Sequence, residues 1–194
     1  MKRDIWAVQR SRRDLLRRKG VRSPSLRIAD TERLVLRELS PDDAVFLCEL
    51  LNDASWLQNI GDRNVRTQQQ AEQYIQDKFI GSYRSLGFGM YLVELKNGGD
   101  PIGLCGLVKR DSLPDPDVGF ALLPRFWNRG YAYEATQAVM SYASTALKVS
   151  KLLAIVKPDN SSSIKLLERL GFSEEGVYRL PSGGTDLKLY AIGV

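Results

Sequence analysis

Residues 117–135 read DVGFALLPRFWNRGYAYEA. An apolar run ends at Pro124, and a tight turn is centred on Asn128-Arg129-Gly130. A helical pattern starts at once, with Ala132, Ala135, Val139, Tyr142, Ala143 and Ala146 three or four apart. Strand, glycine turn and helix start together make an anion site. The first N–H groups of a helix have no acceptor within it, and the helix dipole is positive there. Gly130 permits the turn and a close approach to the backbone. Arg125 and Arg129 add formal charge beside those amides. The pattern predicts a phosphate or pyrophosphate ligand.

The residues narrow which phosphate compound this is. A nucleoside-triphosphate loop needs Lys-Ser/Thr after its last glycine, and Tyr131-Ala132 follow here. A dinucleotide turn needs three spaced glycines and has one. The chain has no histidine, which removes Ser-His-Asp and Cys-His nucleophiles and every His-containing metal site. Two cysteines, Cys48 and Cys105, are too few for an all-Cys zinc site or a disulfide framework, so a reducing compartment is expected. Both fall on apolar faces and read as core. The chemistry is left to backbone donors, carboxylates, hydroxyls and a reactive group on the cofactor.

The elements that must position this segment can be read along the chain. Its 194 residues, 43% apolar and 26% charged, suit one soluble domain. The net charge of +5 is unevenly placed. Residues 1–27 hold ten basic and two acidic residues, a net +8, and the remainder holds 18 and 21, a net −3. The boundary predicts a basic, helix-compatible extension over 1–27 and a domain over 28–194. The extension reads as an arm for RNA or an acidic surface, a transit peptide, a helix docked on a partner, or a solvated appendage. No apolar run is long enough for a membrane span.

Within the domain, Arg33–Leu36 alternates as a strand. Ser40-Pro41 opens a helix whose apolar face is Ala44, Leu47, Cys48 and Leu51. Trp56 to Arg66 reads as an exposed loop, and Gln68 to Tyr83 as a helix burying Ala71, Tyr74, Ile75 and Phe79. Phe88–Leu95 and Pro101–Val108 form a hairpin. A Pro/Asp loop over 111–117 leads to a strand at 118–123, and the helix at 130–147 follows. A strand at 152–156, a helix at 161–170 and one or two last strands complete the order. That order, β, α, α, β, β, β, α, β, α, β, implies an α/β sandwich with a mixed sheet.

A second segment, VKPDNSSSIKLLERLGF at 156–172, carries a family resemblance. The chain resembles the GNAT superfamily of acetyl-CoA-dependent N-acetyltransferases, in particular the branch of ribosomal-protein alanine and serine acetyltransferases. The family's cofactor motif is Gln/Arg, two residues, Gly, one residue, Gly/Ala. It matches at Trp127, Asn128, Arg129, Gly130, Tyr131 and Ala132, with Trp127 departing from Gln/Arg. The later motif matches at Asn160, Ser163, Gly171 and Phe172. TERLVLREL at 31–39 and NIGDRNVRT at 59–67 also look like this branch, and the resemblance covers roughly residues 28–192.

The resemblance implies a mixed, mostly antiparallel sheet of about six or seven strands, splayed at the cofactor, with about four helices on its two faces. It implies acetyl-CoA as acetyl donor, no metal, and a primary amine as acceptor, either a protein N-terminus or a small molecule. Coenzyme A pyrophosphate is expected on the amides of Arg129 to Ala132, with Arg125, Asn160 and Ser163 also at the cofactor. The pantetheine arm is expected along the main chain of Leu122 and Leu123. Direct attack of the amine on the thioester needs positioning, oxyanion stabilisation and proton transfer. Many relatives carry a Tyr seven residues after the motif Asn, and Leu167 stands there. Ser163 and Tyr190 are the candidate acids and Asp117 the candidate base, while Glu134 reads as a helix-start acid. A cytoplasmic monomer or homodimer is expected, without membrane contact, and with a ribosomal protein or ribosome contact open to residues 1–27. Two further classes stay open: a catalytically weak acetyl-CoA-binding module, and an RNA-associated protein acting through its tail.

Overall fold

A computed structural model describes residues 25–179, 183 and 185–194. The expectations for residues 1–24 lie outside that range. Eight strands form one sheet: β1 (Arg27–Asp30), β2 (Leu34–Arg37), β3 (Met90–Leu95), β4 (Pro101–Val108), β5 (Asp117–Leu122), β6 (Lys151–Val156), β7 (Ser173–Tyr178) and β8 (Leu187–Gly193). Their order is β1-β2-β3-β4-β5-β6-β8-β7, antiparallel everywhere except between β5 and β6. Five helices are present among the described residues. They are α1 (Ala44–Asn52), α2 (Ala54–Asn59), α3 (Gln68–Tyr74, continued by Ile75–Ile80 and Gly81–Ser85), α4 (Tyr131–Thr145) and α5 (Ser161–Arg169). The mixed, mostly antiparallel α/β sheet is as expected from the family likeness, with one more strand and one more helix.

The extra strand is β1. Its sequence, RIAD, has only two apolar residues between charged ends, too short an alternation to stand out. It pairs with β2 at the sheet edge and begins at Arg27, so the last residue assigned to the basic extension belongs to the sheet. The extra helix is α2, which overlaps the start of the segment expected to be an exposed loop. Asp53 caps it by accepting from Ser55 N–H at 2.8 Å. Trp56 is buried and donates its indole N–H to Gly61 O at 3.1 Å.

The run called α3 explains its own irregularity. Its buried residues Ala71, Ile75, Phe79 and Tyr83 recur every four positions, and an α-helix turns once per 3.6 residues. Three such steps would drift off one face. A π-helical stretch over Ile75–Ile80 widens the turn and keeps the side chains aligned.

Ladder register fixes what lies on each face, because directly paired residues share a face and neighbours alternate. Tyr91 pairs with Cys105. On that face Cys105 Sγ meets Thr136 of α4 at 3.6 Å and the Tyr91 ring meets Tyr142 edge-on. α5 lies beside α4, with the Arg169 guanidinium 4.4 Å over the Tyr133 ring. The adjacent Leu92 pairs with Arg37 on the opposite face. There Arg37 grips Asp43 with two 2.8 Å bonds and leads the chain into α1. Cys105 is fully buried, as expected, and Cys48 packs at the core's edge.

Candidate active site

β5 and β6 run parallel and touch at a single register pair, Asp117 with Leu153, where Leu153 N–H donates to Pro116 O at 3.0 Å. Beyond it they part into a wedge. Leu123 N–H donates to Ile102 O at 3.0 Å. The odd-numbered residues of β5 therefore spend their main-chain groups on β4, and Phe120 and Leu122 turn theirs into the wedge. Val194 N–H donates to Ser150 O, so the even-numbered residues of β6 serve β8 and Ile155 faces the wedge. The wedge is thus walled by backbone donors and acceptors from both strands. Leu123, expected beside Leu122 as a partner of the cofactor arm, has its amide committed to Ile102, whereas the main-chain groups of Phe120 face the wedge. Leu122 O accepts the Trp127 indole N–H at 2.7 Å, although Trp127 itself is 45% exposed.

At the open end of β5 the chain turns through Pro124–Phe126 and enters α4. Asn128 and Gly130 have φ of 59° and 77°. Arg129 between them does not, so the backbone alternates in hand, a pattern in which successive N–H groups converge. Gly130 is the residue before the helix, and its carbonyl accepts the first helical bond, from Glu134 N–H at 3.0 Å. The amides of Tyr131 and Ala132 precede that bond and have no acceptor within the helix. Ala132 O accepts from the Thr136 hydroxyl at 2.7 Å. Arg125 points elsewhere, its guanidinium 2.5 Å from Glu49 of α1.

Two residues outside the motif bind this turn. Arg33, between β1 and β2, donates from Nη1 to Arg129 O at 2.9 Å and from Nε to Glu134 Oε2 at 2.7 Å. Its guanidinium lies 4.7 Å over the Tyr131 ring. Thr31 donates its hydroxyl to Glu134 Oε1 at 2.5 Å, and the Arg33 amide donates to the same oxygen at 2.9 Å. Burial pushes the Glu134 carboxyl up, but these bonds outweigh it and hold it below the usual range. Glu134 is therefore a tie between α4 and the β1–β2 turn. Nothing in the composition pairs Arg33 with Glu134, a hundred residues on; the only signal at that turn is the TERL stretch of the family likeness.

The second motif opens α5. Asn160 Oδ1 accepts Ser163 N–H at 3.1 Å and caps the helix. Ser163 is half-buried, and Leu167 is buried in the core. Asp117 sits where the wedge closes. β6 runs three residues past Leu153, roughly 10 Å at about 3.3 Å per residue, before the chain reaches Asn160. Ser163 is accordingly at the wedge mouth, and Asp117 at its apex. Tyr190 joins neither. It pairs with Ala154, so it lies on the α4 face while Asp117, paired with Leu153, lies on the α1 face. Its hydroxyl donates to Glu174 on β7 at 3.3 Å.

Asp117 is no exposed strand-end carboxylate. Its side chain is 4% exposed, and Oδ1 accepts from Arg110 Nε at 2.9 Å. Burial raises the carboxyl above its ordinary value and the Arg110 charge opposes that rise without cancelling it. Asp111 is exposed and Asp115 half-buried, so the three acids of the loop do not share an environment. Arg110 was not singled out in the sequence, since a charged residue before a loop is ordinarily solvated. Among the described residues no group of three His, Cys, Asp or Glu is arranged to hold a metal, and no helix is long and apolar enough to cross a membrane.

Residues 33–173 match the model of the acetyltransferase (GNAT) domain. The chain is 30% identical over 172 residues to the uncharacterized N-acetyltransferase YoaA of Bacillus subtilis (strain 168), covering 85% of this chain and 96% of that one. It is 28% identical over 146 residues to the spermidine N(1)-acetyltransferase of Escherichia coli (strain K12), 73% of each. Among solved structures it resembles a GNAT-family acetyltransferase from Bacillus anthracis, with a TM-score of 0.70 at 24% identity over 84% of this chain and 96% of that one. It also resembles the RimL ribosomal L7/L12 α-N-protein acetyltransferase in complex with coenzyme A, with a TM-score of 0.74 at 21% identity over 87% and 98%. These last two likenesses are of fold. With the family model spanning both motifs and the wedge between them, the chain belongs to the GNAT acetyltransferases and is an N-acetyltransferase.

Proposed function

We propose that this protein moves the acetyl group of acetyl-CoA to a primary amine by direct attack on the thioester. The observation that carries this reading is the wedge. One register pair joins β5 to β6, backbone groups of Phe120, Leu122 and Ile155 face the opening, and the opening ends at the Gly130 turn. A pantetheine arm with amides along its length fits such walls as a strand fits an edge, and its pyrophosphate then reaches the amides of Arg129 to Ala132.

In the proposed reaction the amine nitrogen bonds to the acetyl carbon and the carbon–sulfur bond breaks. Asp117 takes the amine proton, directly or through a water. The thiolate takes its proton from Ser163 through water, since Ser163 stands at the wedge mouth and the thioester nearer the apex, and water restores the hydroxyl. A carboxyl raised by burial is the stronger base for that task. Tyr190 is left out, because its hydroxyl is held by Glu174 on the other face. The acceptor is an N-terminal amine of the kind the ribosomal-protein branch modifies, or a polyamine, and the basic residues 1–27 favour an acidic docking surface such as a ribosomal one.

Incubation with labelled acetyl-CoA and a panel of peptide N-termini, spermidine and other small amines, read by mass spectrometry, tests this. Acetylated amine and free coenzyme A should appear in equal amounts. Coenzyme A binding without turnover on any amine would instead mark a binding module, and no binding at all would remove the reading.

A further inference from the structure

We propose that Arg33 is a positioning residue for the cofactor's pyrophosphate, acting by locking the orientation of the Arg129–Gly130 peptide. This rests on the acetyl-CoA reading above. A peptide's C=O and N–H point in opposite directions. Arg33 Nη1 holds Arg129 O at 2.9 Å on the side of the β1–β2 turn. The N–H of Gly130 therefore points away from Arg33, on the side left open to an anion.

The lock is needed because of the glycine. Gly130 sits at φ 77°, which the turn requires. Glycine is equally at home at negative φ, so the peptide before it can rotate over at little cost. The rotated form presents the Arg129 carbonyl oxygen, instead of an N–H, to the phosphates. Arg33 removes that freedom, and it is itself fixed. Its Nε and Nη2 lie 2.7 and 2.6 Å from Glu134 Oε2, and its plane rests on the Tyr131 ring. Arg33 Nη2 is also 3.3 Å from where a Cβ on residue 130 would stand, so the guanidinium reaches up to the turn it holds.

Glu134 balances the Arg33 charge, so the contribution is one of geometry more than of charge. Lysine keeps the charge but has no planar fork to reach Arg129 O and Glu134 together. Arg33→Lys and Arg33→Met should therefore behave alike. In the full-length protein, coenzyme A affinity by calorimetry and KM for acetyl-CoA should each weaken about tenfold, the worth of one hydrogen bond to a charged group. kcat at saturating acetyl-CoA should change far less than KM. Acetylpantetheine is the discriminating donor, because it has the thioester and no pyrophosphate. The wild-type to variant ratio of kcat/KM should be about ten for acetyl-CoA and near unity for acetylpantetheine.

Equal losses on both donors would show that Arg33 merely supports the fold of the site, and would overturn the proposal. So would an Arg33→Lys protein with unchanged coenzyme A affinity. Should Arg33→Met not fold, Arg33→Lys alone carries the comparison. If the wild type turns over acetyl-CoA while both variants match it, only this inference fails. If the wild type binds no coenzyme A, the reading beneath it fails too.

Discussion

Asp117→Asn separates stability from catalysis at one atom pair. The Asp117 side chain is 4% exposed and accepts from Arg110, which is 34% exposed, at 2.9 Å. Its carboxyl is raised by burial, with Arg110 opposing. An acid raised in the fold above about 3.9, its unfolded value, costs stability when ionised. That cost is absent below the unfolded pKa and complete above the folded one. Asparagine mimics the uncharged form and still offers Oδ1 to Arg110. The variant should then melt within about 2–4 °C of wild type near neutrality, equivalent to about 1 kcal/mol, and its standing relative to wild type should improve as pH rises from about 3 to 7.

Catalysis should respond far more. A positioned base contributes at least about a hundredfold, or about 2.7 kcal/mol in the barrier. kcat for the acceptor amine should fall by about that factor at neutral pH, with coenzyme A affinity unchanged. The deficit should narrow toward about pH 9, where more amine arrives neutral. Release of free thiol followed from about pH 6 to 9 measures it. A variant that matches wild type throughout would show that the amine proton goes to water or another group, and that the Asp117–Arg110 pair only closes the wedge apex.

Gly130→Asp should weaken coenzyme A about tenfold, or about 1.4 kcal/mol, because it adds a Cβ and a negative charge at the turn; calorimetry with an unchanged constant would place the phosphates elsewhere. Glu134→Gln should cost stability that is fully present above about pH 4.3 and fades as pH falls through the depressed value of Glu134, seen as converging melting curves in acid. Gly106→Ala should lower melting by several degrees, since its Cβ would stand 2.3 Å from the backbone oxygen of Gly89, an overpacking of about 1–3 kcal/mol. Deleting residues 1–24 should leave melting and coenzyme A affinity unchanged, whereas a large drop would mean Trp6, Leu15 and Leu16 pack on the domain. Any ribosome binding should vanish with that deletion and fall steeply with salt.

The backbone parts of the site were legible because they are local. A strand, Gly130 and the helix after it lie within one short segment, and their spacing alone predicts an anion turn. Asn160 and Ser163 were marked by the likeness to the family, and the bond by which Asn160 caps the helix emerges only in the fold. Contacts across the sheet were not legible. Arg33 meets Glu134, and Arg110 meets Asp117, through folding of the loops between them, and no periodicity records such meetings. β1 was missed because an edge strand buries little and RIAD shows it. α2 was missed because its sequence, ASWLQN, is shorter than two helical turns, too short for periodicity to register. Which of two neighbouring residues faces the wedge was not legible either, because in a strand one residue exchanges the neighbour that its amide serves, and the Leu123 amide serves Ile102.

The single pairing between β5 and β6 has a thermodynamic meaning. The sheet is two half-sheets, β1 to β5 and β6 to β8, whose ladders join at one point. A molecule lying along the wedge adds the missing rungs on both sides, so it acts as structural glue as well as reactant. Bound donor should slow amide exchange at Phe120, Leu122 and Ile155, and should raise the cooperativity of unfolding between the halves. The gain in stability should follow RT ln(1 + [L]/Kd), about 2.7 kcal/mol at a hundredfold excess over Kd. After transfer, coenzyme A keeps the arm and the pyrophosphate and loses only the acetyl group. Under the proposed function the spent product should hold the protein together almost as firmly as its substrate, which makes escape of that product a natural candidate for the slow step of turnover.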